Sequence, residues 1–383
     1  MTIWAFYVAM FLYWGALYVY SPILSVYAVS LGASFTIVGV IVGAYGFVQM
    51  LLRIPVGIWS DRLGWRLPFL YAGHFFNLVG CLGLAFAPNA WWLVIARGVF
   101  GISASTWVGF TVLYASYFPP NETPKAMGVV SAINGISLTI FIGLGGQIAE
   151  IWGMHSTFYV GAVLAVLGIV TTVPVGEQRV PWKSATVRQI RSVMTHPIVI
   201  TTALISALNQ YVIWATTFGF IPLYADALGA SKSALGVIGV IALLPYTLAS
   251  LVNHRIAGRL GENRSLFVGI LVMAMTAFAV PLITNLPLLA ISQGISGIGR
   301  GMTYPLLMGL SIRHIPDQER ATAMGVFQAT YAIGMFLGPM TCGALADVFG
   351  LTGAFVVAGV ISTVAAFIAL ILLKPPASEA MNT

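Results

Sequence analysis

Apolar runs of helix length follow one another from residue 5 to residue 373, separated only by short polar breaks. Crossing the hydrocarbon of a bilayer as a helix takes roughly 20 mostly apolar residues, and twelve such runs can be placed. They cover residues 5–28, 35–58, 67–87, 91–117, 126–149 and 155–175, then 197–225, 232–254, 265–284, 287–312, 321–346 and 351–373. The runs are continuously apolar and lack the two-residue alternation of barrel strands. The expected fold is therefore all-α and integral to the membrane, with twelve transmembrane helices. Composition agrees: 59% of residues are hydrophobic and 7% charged, where a soluble domain carries about a quarter charged. No basic segment precedes the first run and no cleavage site follows it, so it reads as a retained helix and not a signal peptide.

The chain repeats itself at an offset near 197 residues. Gly32-Ala33-Ser34 meets Gly229-Ala230-Ser231, Arg62-Leu63-Gly64 meets Arg259-Leu260-Gly261, and Ala126-Met127-Gly128-Val129 meets Ala323-Met324-Gly325-Val326. The longest match sets Gly146-Gln147-Ile148-Ala149-Glu150-Ile151-Trp152-Gly153 against Gly343-Ala344-Leu345-Ala346-Asp347-Val348-Phe349-Gly350. Six spans separate the copies, an even number, so both copies enter the membrane in the same sense and are related by an axis along its normal. The expected organisation is an N-terminal six-helix bundle (1–176), a cytoplasmic linker (177–196), and a C-terminal six-helix bundle with a short cytoplasmic tail (197–383). A seam between two such bundles places a site at mid-membrane that rocking exposes to one side and then the other.

Charge sets the orientation. Of the 17 basic residues, fourteen, among them Arg53, Arg62, Arg66, Arg179, Arg188, Arg259, Arg313 and Lys374, fall on one side of the span pattern, and Lys232 falls on the other. Both termini are thereby expected in the cytoplasm, in a multi-pass protein of the plasma membrane. The net charge of +7 is explained by this topology, so no nucleic-acid partner is expected. Cys81 and Cys342 sit in separate spans and read as small packing residues, and no metal-ligand set is seen.

The two basic residues that remain are Arg97 and Arg300, inside spans four and ten. Charged groups within spans are costly and usually face a cavity, and all ten acidic residues lie in loops or near span ends. A site that is positive and has no carboxylate suits a substrate with an anionic group, gripped by an arginine fork. The first span adds Trp14 and Tyr18, one turn apart. The seventh adds Asn209, Gln210, Trp214 and Thr217, and Tyr304 lies one turn beyond Arg300. Rings with a few converging polar groups fit a small organic molecule. His74 is the one mid-span histidine that invites a proton-carrying role.

The segment Gly57-Ile58-Trp59-Ser60-Asp61-Arg62-Leu63-Gly64-Trp65-Arg66 resembles the G-x-x-x-D-R-x-G-R-[RK] loop signature of the major facilitator superfamily, with Trp65 at one basic position. Together with the spans, repeat and linker, the resemblance covers essentially the whole chain. It implies a secondary transporter working by alternating access, with Gly57, Asp61, Arg62, Gly64 and Arg66 forming a conformational gate. Arg97-Gly98-Val99-Phe100-Gly101 is similar to part of a signature found in proton-coupled members, which implies a proton gradient as driving force, Arg97 as a coupling candidate, and no cofactor. Gly101 with Gly334, Gly338-Pro339 and Gly343 forms a helix-packing set. The last four are spaced like the exporter-associated signature but stand in the other half, which leaves direction open. Proton-driven antiport that exports a small anionic, zwitterionic or amphipathic molecule is the first expectation, and import of an organic acid or sugar the second. A membrane receptor is a reading of another class, to which the duplication offers nothing. An enzyme is not expected, because the five histidines are scattered and no nucleophile or metal cluster forms. A monomer is expected.

Overall fold

A computed structural model describes residues 3–118, 123–177, 186–313, 315–316 and 319–373, without the side chains of 123–126, 187–190 and 321. Much of the 177–196 linker and the tail after residue 373 lie outside the described residues.

In lipid every backbone N–H and C=O must find a partner within the protein, and a continuously apolar run of helix length finds them within itself as a helix. Described elements are helical throughout, with no strand among them. They run α1 (Ile3–Tyr18), α2 (Leu24–Ser30), α3 (Phe35–Leu63), α4 (Leu67–Ala85), α5 (Ala90–Ser105), α6 (Trp107–Ala115), α7 (Thr123–Trp152) and α8 (Met154–Thr172). After a short α9 (Val187–Met194) come α10 (Pro197–Ala215), α11 (Ile221–Ala227), α12 (Lys232–Leu260), α13 (Glu262–Ala279), α14 (Leu286–Arg313) and α15 (Arg320–Leu372). Nine described stretches are long and apolar enough to cross a bilayer. The α1–α2 pair and α14 occupy the first and tenth expected spans, and α15 bends at Gly350 (φ 70°, ψ 175°) into the eleventh and twelfth.

Three expected spans are broken in ways the apolar pattern does not show. The first opens between Tyr18 and Leu24, where Pro22 has no N–H to give to a helix. The fourth breaks at Thr106, whose hydroxyl donates to the Ser103 carbonyl at 2.8 Å. The seventh passes through a single π turn at Thr216–Phe220, a form often found at functional sites.

The repeat is visible in the backbone. All the positive-φ residues among those described are glycines, and they form three pairs at the 197 offset: Gly32 with Gly229, Gly64 with Gly261, and Gly153 with Gly350. The helix starts repeat as well. Ser34 caps α3 by accepting from the Ile37 N–H at 3.3 Å, and Ser231 caps α12 by accepting from the Ala234 N–H at 3.1 Å. Ser34→Ala and Ser231→Ala are each expected to lose about 1 kcal/mol of stability. Thermal unfolding in detergent, with the off-cap control Ser30→Ala, checks this.

The two halves meet chiefly through α3 against α15 and α7 against α12. At one end of those seams the backbones touch. A Cβ on Gly39 would lie 2.1 Å from the Pro339 carbonyl oxygen, and one on Gly146 2.6 Å from that of Lys232. Five turns away on the same helix faces, eighteen residues at 3.6 per turn, Gly57 and Gly128 have no described neighbour within 4 Å. The same holds for Gly325, eighteen residues before Gly343. Core packing follows the same division. One apolar cluster joins the halves through Tyr20, Phe100, Trp214 and Phe327. Toward the other end the cores separate, into Phe6, Met10, Tyr13 and Phe110 in the first half and Val193, Val199, Ile315 and Val326 in the second. The bundle is thus closed at the end bearing the Ser34 and Ser231 caps and parted at the end bearing the 57–66 loop.

Large apolar side chains cover the outside, with Ile95, Val163 and Leu251 all exposed. Exposed tryptophans collect near helix ends: Trp4, Trp59 and Trp65 at the parted end, and Trp91, Trp92 and Trp152 at the closed end. This is the distribution of interfacial aromatic belts.

Candidate functional site

Arg97 on α5 and Arg300 on α14 are 6% and 7% exposed, so both guanidiniums lie inside the bundle and neither points to lipid. Arg97 donates through Nη1 to the Tyr20 hydroxyl at 2.7 Å, and its guanidinium carbon is 5.0 Å from the Tyr45 ring centre. Arg300 stands 5.0 Å over Tyr246 and 5.7 Å over Phe218. Ring faces replace part of the hydration that a buried cation loses. They do not satisfy its directional N–H groups. Nε of Arg97, and Nε and Nη1 of Arg300, have no hydrogen-bond partner among the described residues.

Tyr18 of α1 ties the arginines into one site, because it is within electrostatic reach of both. Around it the rings are continuous. Trp14 is 5.8 Å from Tyr18, Tyr18 is 5.9 Å from Phe218, Phe218 is 5.0 Å from Trp214, and Trp214 stacks on Tyr45 at 5.0 Å and 14°. The structure therefore gathers Arg97, Arg300, Trp14, Tyr18 and Trp214 in one cage. Asn209 is buried, and neither amide atom has a hydrogen-bond partner among the described residues. Thr217, in the π turn, lines a small, mostly apolar cavity of about 30 Å³ with Phe218, Ile221, Leu235, Ile238 and Gln293. Gln210 is half-buried. Tyr304 is half-buried and sits 6.1 Å from Tyr331, toward the parted end.

Sequence reading placed Arg53 with the basic loop residues, and the structure moves it. It is 4% exposed within α3, its Nε has no hydrogen-bond partner among the described residues, and it is within electrostatic reach of Tyr13 and Tyr304. The signal was its place ten residues before the end of a 29-residue helix. His74 lies elsewhere. It is fully buried against Tyr13, Phe110 and Gly168, within the first half, and neither ring nitrogen has a hydrogen-bond partner among the described residues.

No described carboxylate enters the cage. Asp61 pairs with Arg66 at 2.7 Å, Asp226 pairs with Lys232 at 2.6 Å, and Glu262 pairs with Arg313. Glu177 accepts from the backbone N–H groups of Arg66 and Leu67 at 2.5 and 2.8 Å, at the start of α4. Glu150 and Asp347 are likewise engaged at helix ends, and Glu319 lies at the start of α15.

In the 57–66 loop, Arg66 holds Ser60 and Asp61 through its two terminal nitrogens, and Gly64 supplies the left-handed turn that ends α3 (φ 59°). Arg62 is exposed and Gly57 faces open space. Among the described residues, the bonds made by Asp61, Gly64 and Arg66 stay within their own half. Of the packing set, Gly101 lets α5 touch α3 at Tyr45, Gly334 and Gly338 admit α10 at Ala207 and Tyr211, and Gly343 admits α3 at Phe35. Pro339 lies inside α15 and offers its carbonyl to the close approach at Gly39.

The profile of the Major Facilitator Superfamily matches the chain twice, over residues 6–229 and 202–383. An MFS-type transporter of Methanocaldococcus jannaschii is 23% identical over 92% of this chain and 93% of its own. The synaptic vesicular amine transporter of Mus musculus is 25% identical over 89% of this chain and 67% of its own. Among solved structures, a bacterial homologue of the human lysosomal transporter Spinster, inward-facing and unoccupied, superposes with a TM-score of 0.79. Its identity is 15%, over 96% of this chain and 95% of that one.

Proposed function

The chain belongs to the Major Facilitator Superfamily, a family of multi-pass membrane transporters, and from that premise we propose that it carries small organic anions by alternating access. The observation that carries this reading is the arginine pair: one guanidinium from each half, both buried, with unpaired N–H groups and no described carboxylate beside them. An unmet buried donor costs about 1–3 kcal/mol and more when charged, so a carboxylate that bridges the pair recovers interactions the empty site lacks. The rings around the arginines suit an apolar body on the same molecule. Transport of a cationic amine, the cargo named for the mouse relative, would need a counter-charge that the described cage does not offer.

In this reading residues 1–176 and 197–383 are the rocking bodies, joined by the 177–196 linker, in a monomer in the plasma membrane with both termini cytoplasmic. The driving force in this reading is a proton gradient, on the strength of the Arg97 to Gly101 resemblance; efflux by antiport is the first choice of direction and import the second. With His74 enclosed in the first half, the proton path runs through the cage or the cargo.

Flux in proteoliposomes tests the reading. Aromatic and aliphatic carboxylates should move saturably and respond to an imposed pH gradient, while their neutral amides move poorly. Amines moving better than acids would refute the anion assignment.

A further inference from the structure

We propose that Asp347 and Glu150 are paired gating residues, each reaching across the seam to cap the first turn of a helix in the opposite half and so hold the far end of the carrier shut.

Asp347, on α15, accepts from the backbone N–H groups of Phe35 and Thr36 at 2.9 Å each, at the start of α3. Glu150, on α7, accepts from the Ser233 N–H at 3.2 Å, at the start of α12. The two contacts are 197 residues apart on both sides, since 347 answers to 150 and Thr36 answers to Ser233. An independent bond lies beside the second, where Gln147 donates to the Ser233 hydroxyl at 2.6 Å.

Helix chemistry explains why a carboxylate belongs there. The first N–H groups of a helix have no partner of their own and carry a partial positive charge. In α3 the cap Ser34 takes Ile37, and Asp347 takes the two before it; in α12 Ser231 takes Ala234, and Glu150 takes the one before it. One helix start is thus completed jointly by its own serine and by a carboxylate from the other half. One turn before each acid stands the glycine that makes the reach possible. A Cβ on Gly343 would lie 2.3 Å from the Phe35 carbonyl oxygen, and one on Gly146 2.6 Å from that of Lys232. The unit is a glycine for approach and, four residues on, an acid for capture, built once in each copy of the repeat.

Asp61, the acid of the 57–66 loop, is held in this structure by Arg66 of its own half. The far latches are made while the near ends stand apart, as alternating latches require. The proposal rests on the alternating-access reading and is independent of the cargo.

Spin labels on Ser30→Cys and Thr352→Cys, with Cys81 and Cys342 replaced by alanine, report the width of the closed end in lipid nanodiscs. Asp347→Ala and Glu150→Ala should each raise the separated population about fivefold, as expected for the loss of one charge at a helix N-terminus, and together about 25-fold. Asp347→Asn should fall between, and Asp347→Glu should keep the short distance. A folded double variant with the wild-type distance distribution overturns the proposal. Should the double variant not fold, an unchanged distribution in Asp347→Asn overturns it instead. Transport of neutral in place of anionic solutes would refute the cargo assignment and leave these distances unaffected.

Discussion

Arg300→Ala is expected to lower kcat/KM for an organic acid by about a hundredfold, because losing one partner of a desolvated charge pair costs about 2–5 kcal/mol. The neutral amide of the same acid should lose only a few-fold. Arg300→Lys should lie between, since an ammonium keeps the charge but not the planar fork. Arg300 is the cleaner position for this test. Arg97 is also anchored to Tyr20 at 2.7 Å and packed against three rings, so Arg97→Ala should lose transport and stability together. Initial rates of acid and amide in the same proteoliposomes, with unfolding temperatures for each variant, separate the two effects. Equal losses for acid and amide would show that the arginines hold the bundle and not the cargo.

The fold was largely legible before any coordinates, and for a physical reason. Lipid removes water as a partner for the backbone, so apolar length alone announces a helix, and the repeat was readable in text that survives as pairs of left-handed glycines. Among the breaks within spans, the one at Pro22 was legible because proline has no N–H to give, whereas those at Thr106 and in the π turn at Thr216–Phe220 were not, because they interrupt hydrogen bonding without interrupting apolarity. The arginine pair was visible as two charges left over once topology had claimed the others. Arg53 was missed because counting charges by loop assigns it to the nearest basic segment, whereas its side chain is set by the helix face on which it falls. Tyr45, Tyr246 and Phe218 were missed for a related reason. Aromatic residues are common throughout these spans, and only the crossing of helices selects which rings stand over a guanidinium.

The glycine seams yield the second large effect, and one that has opposite signs at the two ends. Gly39→Leu puts a side chain where the Pro339 carbonyl already sits 2.1 Å from the Cβ position, and a backbone atom in a packed seam cannot step aside as a flexible side chain would. The closed end must then open. Gly57→Leu meets nothing within 4 Å in this structure, yet it lies on the same helix face, so it obstructs the near ends when they come together. Moving a two-state carrier from 1:99 to 99:1 takes about 5.5 kcal/mol, and overpacking of 1–3 kcal/mol already shifts the populations by roughly five- to 150-fold. Both variants should therefore lose transport by roughly fivefold or more, for contrary reasons. The Ser30 to Thr352 distance should lengthen in Gly39→Leu and stay short in Gly57→Leu. Were the two to show the same distances, the seams would be static packing, and a carrier that rocks about them would have no physical basis.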